Sequence, residues 1–322
     1  MSKHISIRLP TALALSLGLA GAAAAADVTV AVTAIVEHPA LDAVRQGVQD
    51  ELAAQGWRAG DNLDFQFESA QGNPATAAQI AQKFVGEAPD VIVPISTPSA
   101  QAVAGATKDI PIVFSAVTDP LGAKLVASLE QPGGNVTGMT DLSPIGAHLD
   151  LVKEITPEVA TLGVIYNPGE ANSVTLLDLL KQEAPARDIA IVEAAAPRSA
   201  DVQAAAQSLV GRVDAIYVPT DNTVVTALEA IVGVGIDNGL PVYAGDTDSV
   251  PRGAIAALGF NYHDIGIQTG RIVARVLAGE APGDIPVQSI EITELHVNPG
   301  AAERMGVTIP EAVIARAGTV IE

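Results

Sequence analysis

The side chains that could do chemistry in this 322-residue chain are concentrated in six short loops, each of which follows a predicted buried strand. The loops contain hydroxyls, amides and carboxylates, and none of them contains Lys or Arg. Most of them also open a predicted helix, so for any one loop the polar residues could serve simply as helix N-caps. The loops are Thr33–His38, Ser96–Ser99, Ser115–Pro120, Tyr166–Ser173, Pro219–Asn222 and Ala244–Asp248.

The composition of these loops suits a small zwitterionic ligand. Free helix N-termini offer N–H donors and partial positive charge, which can hold a carboxylate without an arginine. Acidic side chains in the same loops can pair with an ammonium group, and the candidates are Asp119, Glu170, Asp221 and Asp246. A small molecule that carries both a carboxylate and an ammonium group is an amino acid. We therefore predict an amino-acid-like ligand.

The elements that position these loops alternate between strand and helix. Runs rich in Val and Ile, such as Val28–Val36 and Asp90–Ile95, predict buried strands, and the apolar spacing within Leu41–Ala54 predicts a helix. A further helix is predicted from Thr118 to Leu129. Strict alternation of this kind predicts an α/β fold with doubly wound, mostly parallel sheets.

The strand–helix pattern restarts after the break Gln131–Asn135, which predicts two lobes. The first crossing between the lobes is expected at this break, and two later crossings are expected at Ile255–Leu258 and Ile290–Leu295. Ligands of open α/β sheets bind beyond the carboxyl ends of the strands. The six polar loops would therefore converge in one cleft between the lobes.

The order and spacing of several motifs resemble the substrate-binding proteins of ABC importers, and in particular the family typified by tryptophan- and tyrosine-type binding proteins. Each motif is weak alone, but together they span nearly all of the chain after residue 26. The motifs are Ser96–Ala102, Phe114–Pro120, Gly134–Gly138, Tyr166–Ser173, Pro219–Asn222 and Gly253–Gly259, the last followed by a helix that contains Tyr262.

This resemblance implies a type I-like periplasmic-binding-protein fold with a three-segment hinge and a ligand in the interlobe cleft. The expected N-terminal lobe comprises residues 27–138 and about 260–289, and the C-terminal lobe comprises 139–259 and about 290–322. The resemblance also implies delivery of the ligand to an ABC permease with a cytoplasmic ATPase. Matching by motif carries ligand contact onto Thr97, Ser99, Thr118, Asp119, Asn167, Glu170, Asn172, Asp221, Asn222 and Asp246.

Within this set, Asp246 is expected to bind the ammonium group, with Asp221 as the second choice. Thr97, Ser99 and Thr118 are expected to bind the carboxylate. Aromatic residues make up only 3% of the chain, which is few for a protein that recognises an aromatic side chain. An aromatic amino acid fits the resemblance, while a branched-chain or other small ligand stays open. The aromatic residues near predicted strand ends or hinge are Phe114, Tyr166, Tyr243 and Tyr262.

The first 26 residues have the layout of a cleavable secretory signal peptide, because Lys3 and Arg8 precede the apolar, alanine-rich run Leu13–Ala26. The chain has no cysteine, which excludes disulfides and a lipid-anchor cysteine. We expect an exported protein of a bacterial periplasm. Its net charge of −20 argues against nucleic-acid binding, which needs a basic surface, and favours a soluble monomer.

The sequence contains no pattern that indicates an enzyme, a metal site or a cofactor. The histidines His38, His148, His263 and His296 lack the spacing of metal ligands, and we interpret them as surface or capping residues. Two alternatives to an importer component stay open: a ligand-sensing domain for a membrane receptor, and the same fold with a solute that is not an amino acid.

Overall fold

A computed structural model describes residues 28–321, so the predicted signal peptide, residues 1–26, lies outside the described residues. The strands are β1 (Val28–Ala34), β2 (Leu63–Ser69), β3 (Val91–Ile95), β4 (Ile112–Val117), β5 (Val136–Thr140), β6 (Thr161–Tyr166), β7 (Ala190–Ala195), β8 (Ala215–Val218), β9 (Val242–Ala244), β10 (Ala256–Gly259), β11 (Gln288–Ser289), β12 (Glu294–Val297) and β13 (Thr319–Val320). The α-helices are α1 (Pro39–Ala54), α2 (Pro74–Glu87), α3 (Thr97–Ala106), α4 (Ile145–Ile155), α5 (Ala171–Glu183), α6 (Val202–Leu209), α7 (Asn222–Thr226), α8 (Leu228–Asn238), α9 (Tyr262–Leu277), α10 (Pro299–Arg304) and α11 (Glu311–Arg316).

The strands form two sheets. The first has the order β11–β5–β4–β3–β1–β2, and the second has the order β13–β12–β10–β9–β8–β6–β7. Neighbouring strands are parallel except β10 and β12, which are antiparallel. The predicted α/β class with mostly parallel sheets is confirmed. Within the described residues, no helix combines the length and the apolar character that a membrane crossing requires.

The chain passes between the two sheets three times, and we take each sheet with its helices as one lobe. Strand β5 still pairs with β4 in the first sheet, so the chain first leaves that sheet after Thr140. The prediction of a crossing at Gln131–Asn135 is therefore wrong. Instead, Asn135 joins this loop to the first lobe, because its side-chain amide donates to the carbonyl of Ile110 at 2.7 Å. The other crossings lie between β10 and α9 and between β11 and β12.

The predicted helix from Thr118 to Leu129 does not form, and the segment consists of turns. The carboxylate of Asp119 accepts a hydrogen bond from the backbone N–H of Gly122 at 2.9 Å, which closes the first turn. Lys124 has a φ of 60°, in the left-handed region that interrupts a helix. The capping residues Thr118–Pro120 indicate a helix here, but local side-chain-to-backbone bonding stabilises turns instead.

Both lobes bury cores of Val, Ile, Leu and Ala, as the low aromatic content predicts. Two tyrosines are the largest fully buried side chains, and each phenol has a polar partner. The Tyr217 hydroxyl lies 2.5 Å from His148 Nδ1, and the Tyr243 hydroxyl lies 2.6 Å from Thr156 Oγ1. His148 is therefore a core residue, and its interpretation as a surface or capping residue is wrong.

Helices α1 and α9 pack closely in the first lobe because glycines let their backbones approach. A Cβ atom added at Gly266 would lie 2.2 Å from the carbonyl oxygen of Val44, and one added at Gly47 would lie 2.2 Å from the carbonyl oxygen of His263. Both helices begin at the interlobe cleft. Their packing therefore fixes the positions of His38, which precedes α1, and of Tyr262, which begins α9.

We expect Gly266→Ala to lower the free energy of unfolding by about 1–3 kcal/mol. The added methyl group would overlap with backbone atoms of α1, which cannot move without shifting the helix. Gly86→Ala in the exposed part of α2 is a matched control, since an added Cβ there meets no described atom within 4 Å. That substitution should stabilise by roughly 0.5–1 kcal/mol. Urea unfolding followed by circular dichroism measures both, and equal stabilities would contradict the expected clash.

Candidate ligand-binding site

A cavity lies between the two sheets, beyond the carboxyl ends of their strands. The space between the lining atoms, including the part that is open to solvent, is about 340 Å³. Loops after β1, β3, β4 and β5 line it from one side, and loops after β6, β8 and β9 line it from the other.

Two buried carboxylates line the cavity next to the hinge. Asp141 follows β5 and accepts hydrogen bonds from the hydroxyls of Thr118 at 3.2 Å and Tyr262 at 3.0 Å. Asp246 follows β9 and accepts from the backbone N–H and the hydroxyl of Ser249 at 2.9 and 2.7 Å. Burial raises the pKa of both carboxyls above the ordinary value. An ammonium group beside them would stabilise their charged forms, so this end of the cavity suits a cation.

The start of α3 presents unpaired donors to the same cavity. Ser96 holds the N-cap position with a φ of 77°, and its side chain makes no capping bond to the helix. Among the described residues, neither Ser96 Oγ nor Thr97 Oγ1 has a hydrogen-bond partner, although both are buried. A non-glycine residue with such a φ is strained, and strain of this kind is concentrated at functional sites. Two free hydroxyls at a helix N-terminus can donate hydrogen bonds to a carboxylate.

Apolar groups form the remaining walls. Ala40 and Leu41 of α1 face the cavity from the first lobe, and Val225 of α7 faces it from the second. Tyr262, one of the aromatic residues that the sequence analysis placed near strand ends or hinge, is buried and also lines the cavity. The other aromatic residues named from the sequence lie elsewhere. Phe114 is in the core of the first lobe, Tyr243 is in the core of the second lobe, and Tyr166 packs against the core of the second lobe.

His38 also lines the cavity, so its interpretation as a surface or capping residue is wrong. It holds the N-cap position of α1, but its side chain makes no capping hydrogen bond. Burial lowers the pKa of His38 to about 3, and the charge of Arg252 lowers it as well. The imidazole is therefore neutral at physiological pH.

The structure brings some of the predicted contact residues to the cavity and separates others from it. Those that line it are Thr97, Thr118, Asn172, Asn222 and Asp246. Ser99, two residues after Thr97 in α3, is buried but does not line the cavity. Asp119 serves the turn at Gly122, away from the cavity.

Glu170, Asp221 and Asn167 form a hydrogen-bonded network that holds the loops of the second lobe together. Asp221 accepts from the backbone N–H groups of Asn167 and Val224 at 2.6 and 2.9 Å, and from the hydroxyl of Ser173 at 2.5 Å. Burial and the nearby Glu170 raise the pKa of Asp221. The oxygens of Asp221 are used within the lobe, so the structure does not support it as the second choice for the ammonium group.

Sequence reasoning missed several lining residues. Asp141, Ser96, Thr220, His38 and Tyr262 all face the cavity, and none was assigned a role in ligand contact. The strand-end rule would have found Asp141 if Val136–Thr140 had been recognised as the last strand of the first lobe. The inward direction of His38 has no sequence signal.

The fold and this cavity define a class: two-lobed α/β proteins that enclose a small solute between the lobes. The chain belongs to the ABC transporter substrate binding protein family, whose model matches residues 29–321. A tyrosine-binding protein from Clostridioides difficile (strain R20291) is 43% identical to the chain over 269 residues, which cover 84% of this chain and 78% of that protein. The resemblance seen in the motifs is confirmed.

Two solved structures of related proteins differ in how closely this structure matches them. An ABC domain from Streptococcus pneumoniae in complex with L-Trp is 35% identical, with a TM-score of 0.89 over 92% of this chain and 100% of that chain. A ligand-free, open substrate-binding protein from Clostridium difficile is 38% identical, with a TM-score of 0.69 over 92% and 99%. The present structure is therefore more similar in overall shape to the L-Trp complex than to the ligand-free, open protein.

Proposed function

We propose that this protein binds a free aromatic amino acid, tyrosine or tryptophan, by closing its two lobes around it. The observation that carries this proposal is that one cavity is lined both by two buried carboxylates, Asp141 and Asp246, and by the unpaired hydroxyls of Ser96 and Thr97. That pattern is complementary to the ammonium and carboxylate of an amino acid. The tyrosine-binding relative and the L-Trp complex support the aromatic class.

Ligand binding would shift the protein from an open to a closed population, and the closed form would deliver its ligand to an ABC permease with a cytoplasmic ATPase. Export through the segment 1–26 and action as a periplasmic monomer belong to the same proposal. A substrate-binding role needs no catalytic step, which agrees with a family of solute-binding proteins.

A thermal-shift screen of residues 27–322 against the common amino acids and several sugars tests the ligand class. Tyrosine or tryptophan at a concentration 100 times its Kd should stabilise the protein by about 2.7 kcal/mol and raise the Tm by several degrees. Aliphatic amino acids and sugars should give smaller shifts. A larger shift with leucine or with a sugar would overturn the aromatic assignment.

Matched ligands test the proposed charge pattern. Tyramine lacks the carboxylate of tyrosine, and N-acetyl-L-tyrosine lacks its ammonium charge, so both should bind at least about tenfold more weakly than tyrosine. Uptake of radiolabelled tyrosine or tryptophan by cells with and without the encoding gene tests delivery. Unchanged uptake with intact binding would favour a sensing role instead.

A further inference from the structure

His38 lines the cavity from the first lobe. It follows β1, and it shares the cavity with Asn222, which begins α7 in the second lobe. Nδ1 of His38 is buried and has no hydrogen-bond partner within residues 28–321. A buried polar atom without a partner is costly, and it indicates a group that a ligand would satisfy.

The order of the strands places His38 away from the carboxylates that suit an ammonium group. Asp141 follows β5 and His38 follows β1, and β4 and β3 lie between these two strands in the sheet. Three steps between neighbouring strands correspond to about 14 Å. His38 and Asp141 therefore line different parts of the cavity.

The unpartnered ring nitrogen of His38 can act as an acceptor. Burial lowers the pKa of His38 to about 3, so the imidazole is neutral near pH 7. A neutral imidazole has one N–H donor and one acceptor nitrogen. In the tautomer that carries its proton on Nε2, the buried and unpartnered Nδ1 is the acceptor.

We propose that His38 is a specificity-determining residue that accepts a hydrogen bond from the distal donor of the ligand, either a phenol O–H or an indole N–H. The inference rests on the proposed function and narrows it: the cavity selects tyrosine and tryptophan over phenylalanine, which has no such donor. Thr220, whose buried hydroxyl also lacks a partner within the described residues, lines the same cavity from the second lobe.

Isothermal titration calorimetry of tyrosine, tryptophan and phenylalanine tests this selection. Wild-type protein should bind tyrosine or tryptophan at least about tenfold more tightly than phenylalanine. His38→Phe keeps a ring but removes the acceptor, and it should abolish that preference while phenylalanine binding stays within about threefold. His38→Gln keeps an acceptor and should retain most of the preference. His263→Gln, which alters a partly exposed histidine on α9, is the matched control and should leave all three affinities unchanged.

The outcomes separate this inference from the proposed function. Wild-type protein that binds none of the three amino acids overturns both. Wild-type protein that binds all three equally overturns only the role of His38, and so does a His38→Phe variant that weakens all three by the same factor. Retained phenylalanine binding in His38→Phe shows that the variant folds.

The pH dependence of tyrosine binding is a second readout. An exposed histidine has a pKa near 6.5, whereas the closed cavity keeps His38 neutral down to about pH 3. Falling pH therefore favours the open form, and the Kd for tyrosine should rise about tenfold between pH 7.5 and 5.5. Arg252, Asp141, Asp246 and Glu170 also carry charge near the cavity, so His38→Gln must be measured in parallel. The rise should be clearly smaller in His38→Gln, and an equal rise would exclude His38 as its source.

Discussion

Asp246→Asn and Asp141→Asn should each weaken binding of the amino-acid ligand by at least about 30-fold. Both substitutions remove a negative charge that would face the ligand's ammonium group inside a closed cavity. Truncating one partner of a buried, hydrogen-bonded charge pair costs about 2–5 kcal/mol, which corresponds to about 30-fold to several thousand-fold in Kd. The size of the effect should be measured by calorimetry at pH 7.5.

The same two substitutions should not lower the stability of the ligand-free protein, although they lower its affinity for the ligand. Burial raises the pKa of both carboxyls, so their charged forms destabilise the closed, empty protein at neutral pH. A carboxyl with a raised pKa costs stability above that pKa, and the cost disappears as the pH falls below the ordinary value. Both Asn variants should therefore unfold at the same urea concentration as the wild type, or at a higher one.

Two controls make the result specific to the ammonium group. Asp178→Asn on the exposed face of α5 changes the net charge equally but lies outside the cavity, so it should leave the affinity unchanged. The analogue 3-(4-hydroxyphenyl)propionate is tyrosine without its ammonium group. If Asp246→Asn weakens this analogue as much as it weakens tyrosine, Asp246 does not recognise the ammonium group.

The architecture could be predicted because its determinants are local. The β-branched run of β1 and the helical spacing of α1 specify those elements within a few residues. The pairing of β5 with β4 is not local, and it depends on Gly138. This residue has a φ of 155°, and a Cβ there would lie 2.0 Å from the carbonyl oxygen of Phe114. A glycine within a polar, short strand gives no recognisable pattern, which is why the first crossing was misplaced.

The candidate site could be predicted only as a set of loops. The rule that ligands bind at strand ends locates Thr97, Thr118 and Asp246 correctly on the cavity. It does not tell whether a polar side chain turns toward the ligand or toward a neighbouring loop. Asp221 is completely buried behind the cavity, whereas His38 turns into it, and this difference arises from tertiary packing.

Glu170 illustrates the same ambiguity, because its carboxylate binds neighbouring loops. Six donors converge on it: the side-chain amides of Asn167, Asn172 and Asn222, the hydroxyl of Thr223, and the backbone N–H groups of Asn222 and Thr223. The residue is buried, and it joins the loop before α5 to the start of α7. Its removal would leave the donors of Asn222 and Thr223 without this acceptor, whereas the amides of Asn167 and Asn172 would keep bonds to the Thr223 hydroxyl and the Thr220 carbonyl.

We therefore expect Glu170→Ala to lower the free energy of unfolding of the ligand-free protein by about 3–5 kcal/mol, because each buried donor left without an acceptor costs about 1–3 kcal/mol. Urea unfolding without ligand measures this, and Glu303→Ala on the exposed side of α10 is the control, with a change within about 0.5 kcal/mol. The contrast with Asp246→Asn is the decisive comparison, since that variant should lose affinity and keep its stability. If Glu170→Ala instead keeps its stability and loses affinity, Glu170 contacts the ligand, as the sequence motif implied.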